Sequence, residues 1–335
     1  MRVTLRKVAD EMGLAVSTVS RALRGSTDIS EETRTRVLQT AMQLGYRVRP
    51  SKDPSQTGTN IVVCVSYERN LPVVQGLHQL ILHGVRQYAD EAGLGIVLGH
   101  TQARSLSETL ARAPAVKGCI LCMPLDPAPL ISVIREAGLP VAVANRDPSM
   151  VAPERVDISV HADEDEAARL IVAHFVEMGH ERIAFVADAP ENRMIQARAE
   201  SFRRALRSFG FADRDEWIVV ERKPWDRLVG LVKARGGPTA VAAASDLGAM
   251  KLLQSLDEHD VRVPDDVSLA GIHNVGICEY TVPPLTSVEV PFQAIGYETA
   301  KQVNTWSEHT SEACIEVTFR PRLVRRASVG PPPNR

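Results

Sequence analysis

Long apolar runs are missing from this chain: nowhere do about 18 apolar residues follow one another, so no membrane span is expected. The opening residues, MRVTLRKVADEMG, lack the apolar stretch of a signal peptide and carry charge throughout, which predicts a cytoplasmic protein. Cysteine is sparse: five residues, an odd and scattered set, which does not make a disulfide framework. Cys119 and Cys122 do form a C-x-x-C, within KGCILCMPL. That segment reads as a buried strand, alternation sends the two thiols to opposite faces, and no second Cys or His pair accompanies them. Core packing is therefore expected there, not zinc or redox chemistry. Also missing are a G-x-S-x-G nucleophile motif, a Gly-rich phosphate loop and metal-ligand spacing. Asp246, His273 and Cys278 can be assembled into a catalytic site only on paper, and no enzyme activity, cofactor or metal is expected.

What is present is most informative between Thr4 and Leu23, TLRKVADEMGLAVSTVSRAL. Leu5, Val8 and Ala9 give one short helix an apolar face, and Val19 and Leu23 do the same for a second. Gly13 lies between them, where a sharp turn favours a residue without Cβ. The second helix presents Ser17, Ser20, Arg21 and Arg24 outward, with Val16 as an apolar tip. This is a helix-turn-helix pattern, whose second helix reads base edges in the major groove. A third helix follows: Ser30 is a good N-cap, Glu31 and Glu32 favour the helix N-terminus, Val37, Ala41 and Leu44 form a buried stripe, and Gly45 ends it. Three helices can share a small core that two alone cannot. Residues 1–52 hold ten Lys/Arg against five Asp/Glu, about +5, whereas the whole chain is −2. A basic head on an acidic body suits a protein that meets phosphates through one end.

From about residue 60 the pattern alternates. Apolar strand-like runs occur at 61–66, 94–99, 118–123, 140–145, 182–187, 239–244 and 267–272, with amphipathic helical stretches such as 76–91, 162–178, 195–209 and 246–258. Such alternation predicts parallel sheets with helices on both faces. The number of units would overfill one sheet, so two doubly wound lobes are expected, with a ligand cleft at the carboxyl ends of their strands. The expected organisation is a helix-turn-helix domain over 1–46, a linker over 47–59, a two-lobed domain over 60–328, and a disordered tail over 329–335.

The head, with TVSRAL (18–23), ISEETRTRV (29–37) and LGY (44–46), and the body, with MGHERIAFV (178–186), RVPDDVSLAGI (262–272), PPLTSVEVP (283–291) and LVRRAS (323–328), together resemble the LacI/GalR family of transcriptional regulators. The resemblance runs from Thr4 to about Ser328. It implies a three-helix head on a two-lobed core like that of periplasmic binding proteins. It also implies a homodimer on an inverted-repeat DNA operator, controlled by a small effector, usually a sugar or nucleobase derivative. No tetramerising heptad follows residue 328, in keeping with a dimer.

Carried over residue by residue, the family's base-reading positions fall on Val16, Ser17 and Arg21, of which Arg21 can bond guanine in a bidentate fashion. Phosphate contacts fall on Thr4, Ser20, Arg24 and Thr33, while a serine common at the start of the reading helix is Ala15 here. Helix capping is a second role open to Thr4 and Ser30. The connector RVRPSKDPSQTGTN has no leucine wedge and carries Pro50 and Pro54, so the family's hinge helix is expected to be absent or rudimentary. In the effector cleft the resemblance implies a clamping Arg198, an aromatic Trp225 in the loop after the 218–221 strand, and a carboxylate at Asp246, for which N-capping is an equal reading. Gln75, His78, Asn145 and Arg146 complete the set. His273 stands where the family has an acidic residue, followed by Asn274, and Ser245 replaces the usual Asn. A histidine there can donate or accept and titrates near neutrality, so an effector unlike those of well-known members is expected. A periplasmic receptor is excluded by the head. The remaining alternative is a DNA-binding regulator that answers to a protein partner and to no small molecule.

Overall fold

The computed structural model describes residues 4–23, 29, 30, 33, 36, 37, 40, 41, 44, 60–65, 72–150, 155–212, 214–306 and 314–333. Helices α1 (Leu5–Met12) and α2 (Val16–Leu23) open it. The Thr4 hydroxyl caps α1 by accepting from Lys7 N–H, and Gly13 ends it in the left-handed region at φ 62°. Leu14 N–H then closes on Ala9 O at 3.0 Å, and the chain reverses into α2. Thr33, Arg36, Val37, Thr40 and Ala41 are helical, and Thr33 N–H donates to Ser30 Oγ at 3.3 Å, as an N-cap requires. Val8, Ala9, Val19, Ala22, Val37 and Ala41 form one buried cluster, so the three segments do share a core. The expectation for the connector over 47–59 falls outside the described residues.

The body holds two sheets. The first joins β1 (Asn60–Val65), β2 (Gly95–His100), β3 (Val116–Cys122), β4 (Val141–Ala144), β5 (Ile158–Ala162) and β11 (Ile315–Phe319) in the order β11-β5-β4-β3-β1-β2, every pair parallel. The second joins β6 (Ile183–Ala187), β7 (Ile218–Val220), β8 (Ala240–Ala243), β9 (Ser268–His273), β10 (Thr286–Glu289) and β12 (Arg322–Val324) in the order β12-β10-β9-β8-β6-β7. Its pairs are parallel apart from the antiparallel edge strand β12. Strands β4, β6 and β8 are apolar and buried along their whole length, as parallel strands covered on both faces must be. Helices α3 (Pro72–Ala92), α4 (Ala103–Arg112), α5 (Ala128–Glu136) and α10 (Phe292–Thr305) flank the first sheet. Helices α6 (Glu164–Glu177), α7 (Arg193–Ser208), α8 (Trp225–Lys233) and α9 (Asp246–Asp257) flank the second.

The chain crosses between lobes after β5, after β10 and between β11 and β12. Helices α3 and α10 touch backbone to backbone: a Cβ built on Gly84 would overlap Gln293 O, and one on Gly296 would overlap Ile81 O. Cys119 and Cys122 lie in different core clusters on the two faces of β3, and burial pushes both thiols up. No helix among the described residues is long and apolar enough to cross a membrane.

The expectation of a disordered tail over 329–335 needs correction for residues 329–333, which are folded against the second lobe. Buried His180 holds them: its Nε2 meets Gly330 O at 2.8 Å, so that nitrogen carries the proton, and Nδ1 accepts from Thr239 Oγ1 at 2.9 Å. Gly330 N–H donates back to Ser268 Oγ at 3.0 Å.

Candidate functional site

Two regions carry the candidate residues. In the head, Thr4, Val16, Ser17 and Arg21 are exposed, and Ser20 and Thr33 are half-buried. The face of α2 opposite Val19 and Ala22 thus offers an apolar tip, hydroxyls and a guanidinium to solvent. Thr4 serves as the cap of α1, and the Thr33 hydroxyl accepts from Ser30 Oγ at 2.9 Å, so the capping roles are filled. Arg24 lies outside the described residues.

The second region lies where the carboxyl ends of both sheets face one another, the position at which open parallel sheets bind ligands. On the first lobe, Asn145 and Arg146 follow β4. Asn145 takes φ 57°, in the left-handed region that asparagine tolerates. Its Nδ2 is buried without a partner among the described residues. Arg146 is only 8% exposed. Its guanidinium donates to Asn145 O at 2.9 Å and Met123 O at 3.2 Å, and reaches across to Met194 Sδ on the second lobe at 3.4 Å. Among the described residues no carboxylate pairs with it. Burial pulls its pKa down to about 10, and the Arg198 charge adds to that more than Glu164 relieves it. His78, on α3, is 4% exposed, and neither ring nitrogen has a partner among the described residues. Burial first and the Arg146 charge second hold its pKa below the usual histidine range. The Gln75 side chain lies outside the described residues.

On the second lobe, Asn192 caps α7 and sets Arg198 facing inward, 3% exposed. Arg198 is clamped by Glu164 at the first turn of α6: Nε to Oε2 is 2.8 Å and Nη2 to Oε1 is 3.0 Å. Its Nη1 donates to Ala244 O at 2.7 Å and meets His273 Nε2 at 3.0 Å. A guanidinium only donates, so His273 Nε2 must be the lone-pair nitrogen and the ring proton sits on Nδ1. Burial, then Arg198 and Arg146, hold the His273 pKa well below 6.5. The expectation of a histidine titrating near neutrality is thereby corrected: burial and two neighbouring guanidinium groups disfavour the protonated ring.

Asp246 also departs from expectation. The cap of α9 is Ser245, whose side chain accepts from Gly248 N–H, so N-capping does not explain Asp246. The carboxylate is fully buried; Oδ1 accepts from Ser287 Oγ at 2.5 Å and Oδ2 from Val275 N–H at 2.9 Å. Both oxygens are spent on holding the 273–278 segment beside β10, and burial raises its pKa to about 6. That segment is strained at His273, with φ 115°, while Asn274 at φ 52° takes the left-handed region that asparagine tolerates. Trp225, expected in a loop, is the first residue of α8; its half-buried ring packs against Gly248 and lies 5.8 Å from Lys251 Nζ. Sequence reasoning missed Glu164, Met123 and Met194. Glu164 sits in the acidic run DEDE (163–166), where a helix N-terminus explains the charges without any partner across the fold.

Comparison with known proteins then decides the family. Residues 4–48 match the model of bacterial regulatory proteins of the lacI family, and residues 172–329 match a periplasmic binding protein-like domain. The transcriptional regulator CelR of Thermobifida fusca is 30% identical over 316 residues, covering 90% of each chain. The chain belongs to the LacI family. It is a DNA-binding transcriptional regulator and not an enzyme. The solved CelR–cellobiose complex superposes with a TM-score of 0.67 at 26% identity over 98% of this chain and all of that one. A lac repressor dimer bound to operator superposes with a TM-score of 0.65 over 98% of this chain and all of that one; at 21% identity this speaks for the fold alone.

Proposed function

We propose that this LacI-family regulator is a repressor that binds an inverted-repeat operator as a homodimer and is controlled by a small metabolite, sugar-like in size, held between its lobes. The observation that carries this reading is the set of buried polar groups meeting from both lobes. Arg146, Asn145 and His78 on one side face Arg198 and His273 on the other, with orphaned nitrogens on Asn145 and His78. A protein interior leaves such groups unpaired only at a cost, which a bound ligand removes. The cellobiose in the CelR complex supports a carbohydrate-sized occupant. Trp225 and Asp246 enter as supports, Trp225 against α9 and Asp246 behind the 273–278 segment.

In the head, Val16, Ser17 and Arg21 are the proposed base readers and Thr4, Ser20, Arg24 and Thr33 the phosphate contacts. An exposed apolar patch supports self-association: on the second lobe Tyr280 is 81% and Val282 92% exposed, beside Ile277. Two copies related by a two-fold axis match a two-fold operator. Effector binding changes the relative population of lobe arrangements and so the spacing of the two heads, acting only through its differential affinity for them. Selection of bound fragments from the source genome with purified protein, at stated salt, tests this. Recovery of one short inverted repeat, bound by two chains per site, is expected. Unrelated fragments with steep salt dependence would mean phosphate binding alone and overturn the reading.

A further inference from the structure

The two buried arginines of the cleft are not equivalent. Arg198 has its counter-charge within the protein, held through two bonds to Glu164. Arg146 has two backbone carbonyls and a thioether, and among the described residues no carboxylate lies within ion-pair distance of it. Around it the unspent polar groups are chiefly donors. Asn145 Nδ2 is a donor by nature, and the neutral His78 ring keeps one N–H and one lone pair, both unused. The charged side chains nearby do not supply the missing anion: Arg198 disfavours the Arg146 charge more than Glu164 favours it. A buried cation left this way is unfavourable unless something anionic completes it.

We propose that the effector is an acid, with a carboxylate or phosphate seated on Arg146, Asn145 Nδ2 and His78 and a polyhydroxylated remainder toward the second lobe. The inference rests on the proposed effector cleft and narrows what fills it. Arg146 takes the anion because its guanidinium fork is unmatched by a carboxylate, whereas Arg198 is already paired and serves hydroxyl groups or the clamp itself. The neutral His273 ring, with Nε2 committed to Arg198, has only its Nδ1–H to give, which again suits an acceptor.

The test is isothermal titration of the full-length protein with matched sets: aldohexoses, the corresponding aldonic and uronic acids, and hexose 6-phosphates. Binding within the acid sets is expected, at least tenfold tighter than the matched neutral sugar; which set binds separates carboxylate from phosphate. Arg146→Gln should weaken that binding roughly 10- to 100-fold, and Arg146→Lys less, since it keeps the charge and loses the fork. The melting temperature of ligand-free Arg146→Gln supplies the second readout. It should equal or exceed that of the parent, because an uncompensated buried charge is removed; a structural arginine would give a clear drop. Tighter binding of a neutral sugar, or acid binding that Arg146→Gln leaves unchanged, overturns the inference while the effector cleft stands. No binding in any set overturns both.

Discussion

Replacing Glu164 by glutamine removes the counter-charge of Arg198 while keeping the shape of the side chain. In the native structure the Arg198 side chain is 3% and that of Glu164 14% exposed, and the two share bonds of 2.8 and 3.0 Å. Removing one partner of a buried pair strands the other, at about 3–5 kcal/mol. A glutamine oxygen still accepts one of the two bonds, so the low end applies, about 3 kcal/mol. For a cooperative unit the size of one lobe this lowers Tm by roughly 6–12 °C. The assay is thermal or urea unfolding followed by fluorescence of Trp217, which is buried in the second-lobe core. The double variant Glu164→Gln/Arg198→Met removes the stranded cation as well and should recover a large part of the loss. A change for Glu164→Gln within about 0.5 kcal/mol of the parent would refute the claim that this pair is a desolvated clamp.

Three further outcomes are expected. Gly296→Ala, whose Cβ would overlap Ile81 O, should destabilise the first lobe by about 1–3 kcal/mol or more, measured by urea unfolding; an unchanged midpoint would mean that α3 and α10 separate freely. Asp246 is an acid whose folded pKa, about 6, lies above its unfolded value. Its contribution to stability is therefore fully present below about pH 4 and is lost as pH rises through about 6. Relative to the parent, Asp246→Asn should accordingly gain on the order of 2–3 kcal/mol between pH 4 and pH 7.5, and a pH-independent gap would contradict the burial argument. Arg21→Ala should cost about 1–3 kcal/mol of operator affinity and relax the preference at one base pair, whereas uniform weakening on all sequences would reassign Arg21 to phosphate contact.

The parts legible in the sequence were those fixed by local periodicity and by pattern. Each of the seven apolar runs became a strand: six are inner parallel strands that are apolar because both faces are covered, and β2, at the sheet edge with Leu98 exposed, is more apolar than its burial requires. Strands β5 and β11, with Ser159, His161, Glu316 and Thr318 among their residues, carry too much polarity to stand out, and β11 alternates at a half-covered edge of the sheet. The folded tail was illegible because GPPPNR has the composition of a loose end, and its anchor, His180, is 150 residues away. In the cleft, Arg198 and His273 were visible as positions. Their states were not, since the His273 tautomer follows from a guanidinium 75 residues distant in sequence. Asp246 misled for a related reason: at the start of a helix a carboxylate and a neighbouring serine are equally good caps, and only the tertiary contacts of Ser287 and Val275 show which one is free for other work.

The central claim is that a small molecule between the lobes governs DNA binding by the head. Its most direct test is fluorescence anisotropy of a labelled operator, taken from the genomic selection, with and without saturating amounts of the panel compound that binds most tightly. A change in operator affinity of about 5- to 150-fold is expected in the parent. A smaller response is expected for Arg146→Gln at the same ligand concentration, measured against that variant's own ligand-free operator affinity. Operator affinity that stays constant at full occupancy of the cleft would contradict that claim.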